Sequence, residues 1–173
     1  MKVIITFYTQ TGNTEMLADS AYKELSQDSE VTIKNIEDTS ASDLSGCDVV
    51  IISSPIHGGG LAAPVQQFLA SLPTAPGYKL AALITHLSAV YQTAQFERGL
   101  STLVETCDQK DIDYLGYYDC QGKLAAKIRP IVQKGQGMND VEFKHFIDEL
   151  DKHPTPEEVA GAATFARELV AKA

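Results

Sequence analysis

The stretch MKVIITFYTQTGNT, residues 1–14, decides the fold. Its first part, residues 3–8, is an apolar run that predicts a buried β-strand. Its second part, residues 9–14, contains uncharged polar residues and one glycine. The segment TEMLADSAYKELSQ comes next and has apolar residues at helical spacing, with Thr14 as the expected N-cap. A strand that turns directly into a helix through such a loop is typical of an α/β domain.

The same alternation continues along the chain. Apolar runs predict five strands, at residues 3–8, 31–36, 48–53, 79–85 and 113–118. Helical patterns occupy residues 14–27, 63–72 and 93–107 between them, and their apolar faces include Met16 in the first and Val104 in the third. The runs DVVIISS and KLAALIT are almost continuously apolar, as expected for strands that are buried on both faces. The sequence therefore predicts a doubly wound parallel sheet with helices on both sides.

The last part of the chain breaks the alternation. Two helical segments follow one another, at residues 139–150 and 155–173. Thr155, Pro156 and Glu158 form a capping-box pattern at the start of the second segment. We expect one domain over residues 1–173 with a C-terminal helical extension from about 135, whose final helix packs beside the first.

Composition limits the possible functions. Fourteen Lys and Arg stand against 23 Asp and Glu, giving a net charge of −9, which argues against nucleic acids and anionic membranes as partners. No apolar run reaches the ~18 residues of a membrane span, and no signal-peptide pattern is present. The three cysteines are odd in number and far apart, and the four histidines lack metal-ligand spacing. We expect a cytoplasmic protein without a metal.

The loop after the first strand predicts an anion site. It is built from Thr9, Gln10, Thr11, Gly12, Asn13 and Thr14. Amide groups at a helix N-terminus are unsatisfied, and the helix dipole favours an anion there. The loop lacks the lysine of GxxxxGK[ST] loops and the spacing of GxGxxG loops, so a terminal monophosphate is the expected ligand. An ordinary polar turn is the alternative interpretation.

Two further loops follow strands of the predicted sheet. The loop SSPIHGGGLAAP, residues 53–64, has three consecutive glycines, which allow close approach to a flat ligand. The loop THLSAVYQTAQ, residues 85–95, offers hydroxyl groups and the ring of Tyr91. Ligands of open parallel sheets bind beside such loops, at the carboxyl ends of the strands. A solvated His57 and a Tyr91 that only packs against the fold remain open alternatives.

Other chemistries lack their residues. No cysteine has an arginine six positions later, as the loop of cysteine-dependent phosphatases requires. Tyr8, Thr9 and Gln10 end the first strand, where receiver domains need acidic residues. A GxSxG nucleophile elbow is also missing from the sequence. We therefore assign no catalytic residue.

The sequence resembles the flavodoxin family. TQTGNT matches the family's T/S-x-T-G-x-T phosphate loop, while SSPIHGGG and THLSAVYQ occupy the positions of its two flavin loops. The segment YYDCQGKLAAKIRP and the tail resemble a longer-chain subgroup found mainly in anaerobic bacteria and archaea. The resemblance implies a five-stranded sheet of order 2-1-3-4-5 and the cofactor FMN. It implies cofactor contacts from Thr9, Gln10, Thr11, Gly12, Asn13, Thr14, Ser54, Pro55, Ile56, His57, Gly58, Gly59, Thr85, His86, Leu87, Ser88 and Tyr91.

The chain also departs from the family pattern. It has no tryptophan to stack on the flavin, so Tyr91, His57 or Ile56 must cover the ring, and His86 replaces a usual acidic residue. The resemblance implies a low-potential one-electron carrier whose acidic rim docks to redox proteins with basic surfaces. An FMN-dependent NAD(P)H oxidoreductase acting on a quinone, flavin or tetrapyrrole is the alternative. A binding module that has lost the cofactor is the third possibility.

Overall fold

A parallel β-sheet forms the centre of the protein. A computed structural model describes residues 1–58, 60–87 and 93–173. The strands are β1 (Lys2–Phe7), β2 (Glu30–Asn35), β3 (Val49–His57), β4 (Gly60–Leu61), β5 (Lys79–His86) and β6 (Tyr114–Gln121). Five of them lie parallel in the order β2-β1-β3-β5-β6, and the short β4 pairs antiparallel with the end of β3. Without β4, this is the expected order 2-1-3-4-5.

Helices cover both faces of the sheet. They are α1 (Asn13–Leu25), α2 (Ala63–Ser71), α3 (Thr93–Lys110), α4 (Arg129–Gln136), α5 (Asp140–Leu150) and α6 (Pro156–Val170). Strand residues alternate between two cores, so that Ile4 packs with α2 and α3 while Ile5 packs with α1 and α6. Both isoleucines are buried, which explains the continuous apolar runs. The predicted doubly wound α/β fold is confirmed. Within the described residues, no helix is long and apolar enough to cross a bilayer.

The final helix packs beside the first, as predicted. Ala162 and Ala166 of α6 are fully buried in the core that α1 shares with the sheet. The hydroxyl of Ser20 on α1 donates to the carbonyl oxygen of Val159 at 2.8 Å. At the start of α6, the hydroxyl oxygen of Thr155 accepts from the Glu158 amide at 3.2 Å, so the expected capping box forms. The helix that starts at the first loop is therefore braced along its length.

The segment before α6 has a small core of its own. Leu124, Ile147 and Leu150 are buried together. Partly buried apolar side chains pack around them, namely Leu87, Val132, Phe143 and Phe146. This cluster fixes α4 and α5 beside the carboxyl ends of β5 and β6. The segment that contains α4 and α5 is thus a packed subassembly next to the loops of interest.

Two strands extend further than expected. β3 continues from Ser53 to His57 because Ser54 and Pro55 pair with β5 and His57 pairs with Gly60. β6 likewise continues to Gln121, which pairs with His86. Residues 54–57 are therefore strand residues and not part of a loop, and the end of β3 pairs antiparallel with β4.

Three predicted details of the helices are wrong. Gly12 and not Thr14 is the N-cap of α1, because the helix begins at Asn13, two residues before the start that an N-cap at Thr14 implies. Met16 is 44% exposed and Val104 is 41% exposed, although both were expected on the apolar faces. The buried face of α1 instead runs through Leu17 and Ala21.

Candidate functional site

The loop after β1 holds unpaired amide groups in a buried position. Gly12 adopts φ +83°, its amide donates to the Thr9 hydroxyl at 2.9 Å, and its carbonyl accepts from the Met16 amide at 3.0 Å. Asn13 and Thr14 are 3% and 1% exposed. No hydrogen bond within residues 1–58, 60–87 and 93–173 uses the backbone amides of Asn13 or Thr14. Buried amides at a helix N-terminus without an acceptor form an anion-binding arrangement.

Buried polar contacts join this loop to the ends of two other strands. The hydroxyl oxygens of Thr14 and Thr85 lie 2.8 Å apart. Gly122, just after β6, lies so close that a Cβ there would be 3.1 Å from Nδ2 of Asn13 and 3.4 Å from Cβ of Thr85. A larger residue at position 122 would push the loop away. The ends of β1, β5 and β6 are therefore held together.

A cavity of about 440 Å³ opens where these strand ends meet. Its volume lies within the range of small-molecule and cofactor sites. Ten residues expected to contact a cofactor line it: Gln10, Thr11, Asn13, Pro55, Ile56, His57, Gly58, Thr85, His86 and Leu87. The three segments identified from sequence thus reach one cavity.

Four other expected residues support the cavity without lining it. The Thr9 hydroxyl accepts a hydrogen bond from the Gly12 amide, and the hydroxyls of Thr14 and Thr85 are hydrogen-bonded to each other. The hydroxyl of Ser54 accepts from the Ala62 amide at 3.2 Å and so joins β3 to the start of α2. Gly12 supplies the turn before α1. The remaining expected residues, Gly59, Ser88 and Tyr91, lie outside the described residues.

The end of β3 supplies one wall. Ile56 projects against α3, where a Cβ at Gly99 would lie 2.6 Å from its Cδ1. The ring of His57 meets the ring of Tyr8 edge-on, with centroids 6.1 Å apart. Burial, and secondarily the positive charge of Lys127, lower the pKa of His57 below its ordinary value of 6.5. This wall is therefore apolar and carries an uncharged imidazole at neutral pH.

A second histidine lines the cavity and is fixed in orientation. Nε2 of His86 lies 2.8 Å from Oδ2 of Asp119, and its ring packs on Phe96 with centroids 4.4 Å apart. The backbone carbonyl of His86 also accepts from the Gly122 amide at 2.9 Å. The carboxylate and the ring of Phe96 together fix the orientation of this imidazole in the wall of the cavity.

One wall of the cavity, formed by the segment after β6, was not predicted from the sequence. The segment after β6 contributes Gly122, Lys123, Leu124, Ala125, Lys127, Ile128 and Val132 to the lining. It carries no motif of known chemistry, so only its position after the last strand could have indicated a role. The cavity consequently has a polar end at the α1 loop and an apolar end, edged by two lysines, at α4.

The arrangement fits FMN. Unpaired buried amides suit its phosphate, the hydroxyl-bearing strand ends suit its polyol chain, and the apolar walls suit its flat ring. The described residues contain no group of three or more side chains that could hold a metal ion.

Comparison with known proteins agrees with this geometry. The model of the flavodoxin domain matches residues 4–167. The chain belongs to the flavodoxin family. Members of this family bind a flavin, typically FMN, and act with redox partner proteins. The flavodoxin fold suggests an FMN-binding electron-transfer or flavoprotein function.

Individual relatives show the same fold over the whole length. The flavodoxin-like domain-containing protein BilS of Clostridioides difficile (strain CD3) is 23% identical over 178 residues, covering 100% of this chain and 98% of the relative. The flavodoxin of Streptococcus pneumonia TIGR4 is 17% identical with a TM-score of 0.68, covering 100% of both chains. Oxidised flavodoxin 2 from Bacillus cereus is 20% identical with a TM-score of 0.68, also over 100% of both chains.

Proposed function

We propose that this flavodoxin binds FMN in the cavity at the carboxyl end of the sheet and works as a low-potential one-electron carrier. The observation that carries the proposal is the pair of buried, unpaired amides at Asn13 and Thr14. A buried donor without an acceptor costs ~1–3 kcal/mol, and a bound phosphate would remove that cost.

Each part of the cavity has a proposed role. The loop of residues 9–14 holds the phosphate through dipoles and hydroxyls, without a cationic side chain. Ser54 and Thr85 shape the polar passage beside it, and Ile56 and His57 border the ring. Gly59, Ser88 and Tyr91 remain cofactor contacts that we propose from the sequence resemblance alone.

Bound FMN would supply the electron-transfer chemistry, and the chain would set its environment. The phosphate loop carries no cation and the net charge of the chain is −9, so most of the protein disfavours the addition of negative charge at the site and lowers the reduction potential, whereas Lys123 and Lys127 at the opening of the cavity act in the opposite direction. The apolar walls exclude water from the ring. These features support a carrier that accepts electrons only from strong reductants.

An absorption spectrum followed by a redox titration tests this proposal. The purified protein, reconstituted with FMN and dialysed, should retain a flavin spectrum. Anaerobic reduction should then proceed in two separate one-electron steps. A colourless protein that cannot be reconstituted would instead support a binding module, and a single two-electron step would contradict the carrier.

One observation favours an FMN-dependent NAD(P)H oxidoreductase as the second candidate. The cavity continues past the strand ends to Leu124, Ile128 and Val132, where a quinone, flavin or tetrapyrrole substrate would find apolar walls. The imidazole of His86, held by Asp119, lines the same cavity. Rapid bleaching of the bound flavin by NADPH alone, followed in an anaerobic stopped-flow instrument, would select this candidate over the carrier.

A further inference from the structure

The segment that closes the cavity has the opposite charge to the rest of the protein. Residues 120–139 contain four of the fourteen basic residues and no Asp or Glu, although the chain has 23 acidic residues in all. The four are Lys123, Lys127, Arg129 and Lys134. The protein therefore carries a region of positive charge although its net charge is −9.

Two of these lysines stand at the opening of the cavity. Lys123 and Lys127 are exposed and line it, and neither forms an ion pair within the described residues. Arg129 differs, because its guanidinium binds Asp151 at 2.7 Å and the Leu124 carbonyl oxygen at 3.1 Å. The charge of Lys127 also reaches the interior, since it contributes to the lowered pKa of His57. Their charge is therefore available to whatever approaches the opening.

Exposed isoleucines accompany the lysines. Ile128 lines the cavity and is still 38% exposed, and Ile131 on α4 is 71% exposed. Together with Lys123 and Lys127 they form what we call the basic mouth. Apolar side chains surrounded by charged ones are the usual composition of a protein interface, with an apolar centre and a polar rim.

We propose that the basic mouth docks the acidic face of an electron-transfer protein. This proposal rests on the proposed FMN function, because the mouth borders the cavity that would hold the flavin. Charge complementarity selects the occupant: the net charge of −9 repels an acidic partner, whereas the lysines of the mouth attract it. Such a charge distribution orients the encounter and places the partner beside the cofactor. The sequence predicted a partner with a basic surface, whereas the local charge at the mouth has the sign that attracts an acidic one.

Electron transfer from reduced plant-type ferredoxin, an acidic iron–sulfur protein, tests the proposal. The FMN-loaded protein is mixed with it anaerobically in a stopped-flow instrument at several salt concentrations. We expect the second-order rate constant to fall as salt rises, because salt screens an attraction. The double variant Lys123→Gln, Lys127→Gln should react at least fivefold more slowly at low salt.

Lys23→Gln is the matched control. It removes the same charge from the last turn of α1, ten residues and therefore about 15 Å along the helix from Asn13. Its rate should equal that of the wild type within twofold. A rate that rises with salt, or equal losses in the double variant and the control, would overturn the proposal.

Further measurements separate other occupants of the mouth. Ile131→Ser should slow the reaction with ferredoxin and leave oxidation of the reduced protein by ferricyanide unchanged, since a small anion needs no apolar contact. A loss with ferricyanide but not with ferredoxin would show a site for small anions and refute protein docking. Self-association that disappears in the double variant, measured by sedimentation, would show that a second copy covers the mouth.

The flavin spectrum distinguishes the two proposals. If the wild-type protein binds no FMN, the proposed function is refuted, and docking for electron transfer is refuted with it. If the wild-type protein binds FMN but its rate of reaction with ferredoxin lacks the expected dependence on salt and on the two lysines, only the docking surface is refuted.

Discussion

The hydroxyl oxygens of Thr14 and Thr85 lie 2.8 Å apart, although 71 residues separate them in the chain. Thr14 stands in the first turn of α1 and Thr85 near the end of β5, and they are 1% and 4% exposed. This contact joins the first turn of α1, which follows the loop after β1, to the end of β5, two strands away in the sheet. The geometry of the proposed cofactor site therefore depends on a hydrogen bond that water does not reach.

Thr85→Val should destabilise the protein by about 1–3 kcal/mol, because it leaves the Thr14 hydroxyl buried without a partner. Thr14→Val should have a similar effect, and the double variant should lose less than the sum of both. Urea denaturation of the apoprotein measures these values. Additive losses would show that the two hydroxyls do not interact.

Gly12→Ala should weaken FMN binding about tenfold, because φ +83° costs a residue with a Cβ roughly 1–2 kcal/mol. Gly46 is the matched control, since it has φ +69° and open space around it but lies outside the cavity. The Gly46→Ala variant should show a similar loss in the free energy of unfolding but keep the wild-type affinity for FMN. Fluorescence titration with FMN measures both variants, and equal affinities would contradict the role of Gly12.

Protonation of His57 should destabilise the fold at acidic pH. Its pKa in the folded protein lies below 6.5, so below that pH the unfolded chain binds more protons than the folded one. The free energy of unfolding should therefore rise with pH through the window that ends near 6.5. Denaturation curves between pH 5 and 7.5 should show a smaller rise for His57→Gln, because that residue no longer titrates. An unchanged pH dependence in the variant would contradict this assignment.

Gly161→Ala should destabilise the protein by about 1–3 kcal/mol, because the new Cβ would clash with the ring of Tyr118. That ring cannot move freely, since its hydroxyl donates to the Glu158 carbonyl oxygen at 2.8 Å. Gly135 in α4 provides the control, because a Cβ there meets nothing within 4 Å. Gly135→Ala should stabilise by up to ~1 kcal/mol through helix propensity. Thermal unfolding measures the melting temperature of both variants, and a shift of both temperatures in the same direction would contradict this prediction.

The fold was predictable because the apolar residues of each strand and helix follow the pattern in which that element is buried. The runs VIITF, VVIIS and LAALIT are almost continuously apolar, as expected for strands of a sheet that is covered on both faces. Element ends were less predictable. Ser54 and Pro55 continue β3 because β5 runs beside them, and no local pattern reveals a neighbouring strand.

The candidate site was predictable where a loop carries its own chemistry. TQTGNT contains the amides, hydroxyls and glycine that the geometry uses. The wall formed by Lys123, Leu124 and Lys127 was not predictable, because apolar and basic residues in a loop indicate no ligand by themselves. They reach the cavity only because the small core around Leu150 holds α4 and α5 in place.

The bracing of α1 by α6 has a consequence for biosynthesis. Ser20 and Val159, which join the two helices, are separated by 139 residues in the chain. At about 5–20 residues per second, the ribosome needs on the order of 10 s to make that interval. During this time α1 exposes the apolar face that α6 will cover. We therefore expect the nascent chain to need protection from aggregation and to acquire its flavin late, once α6 has docked.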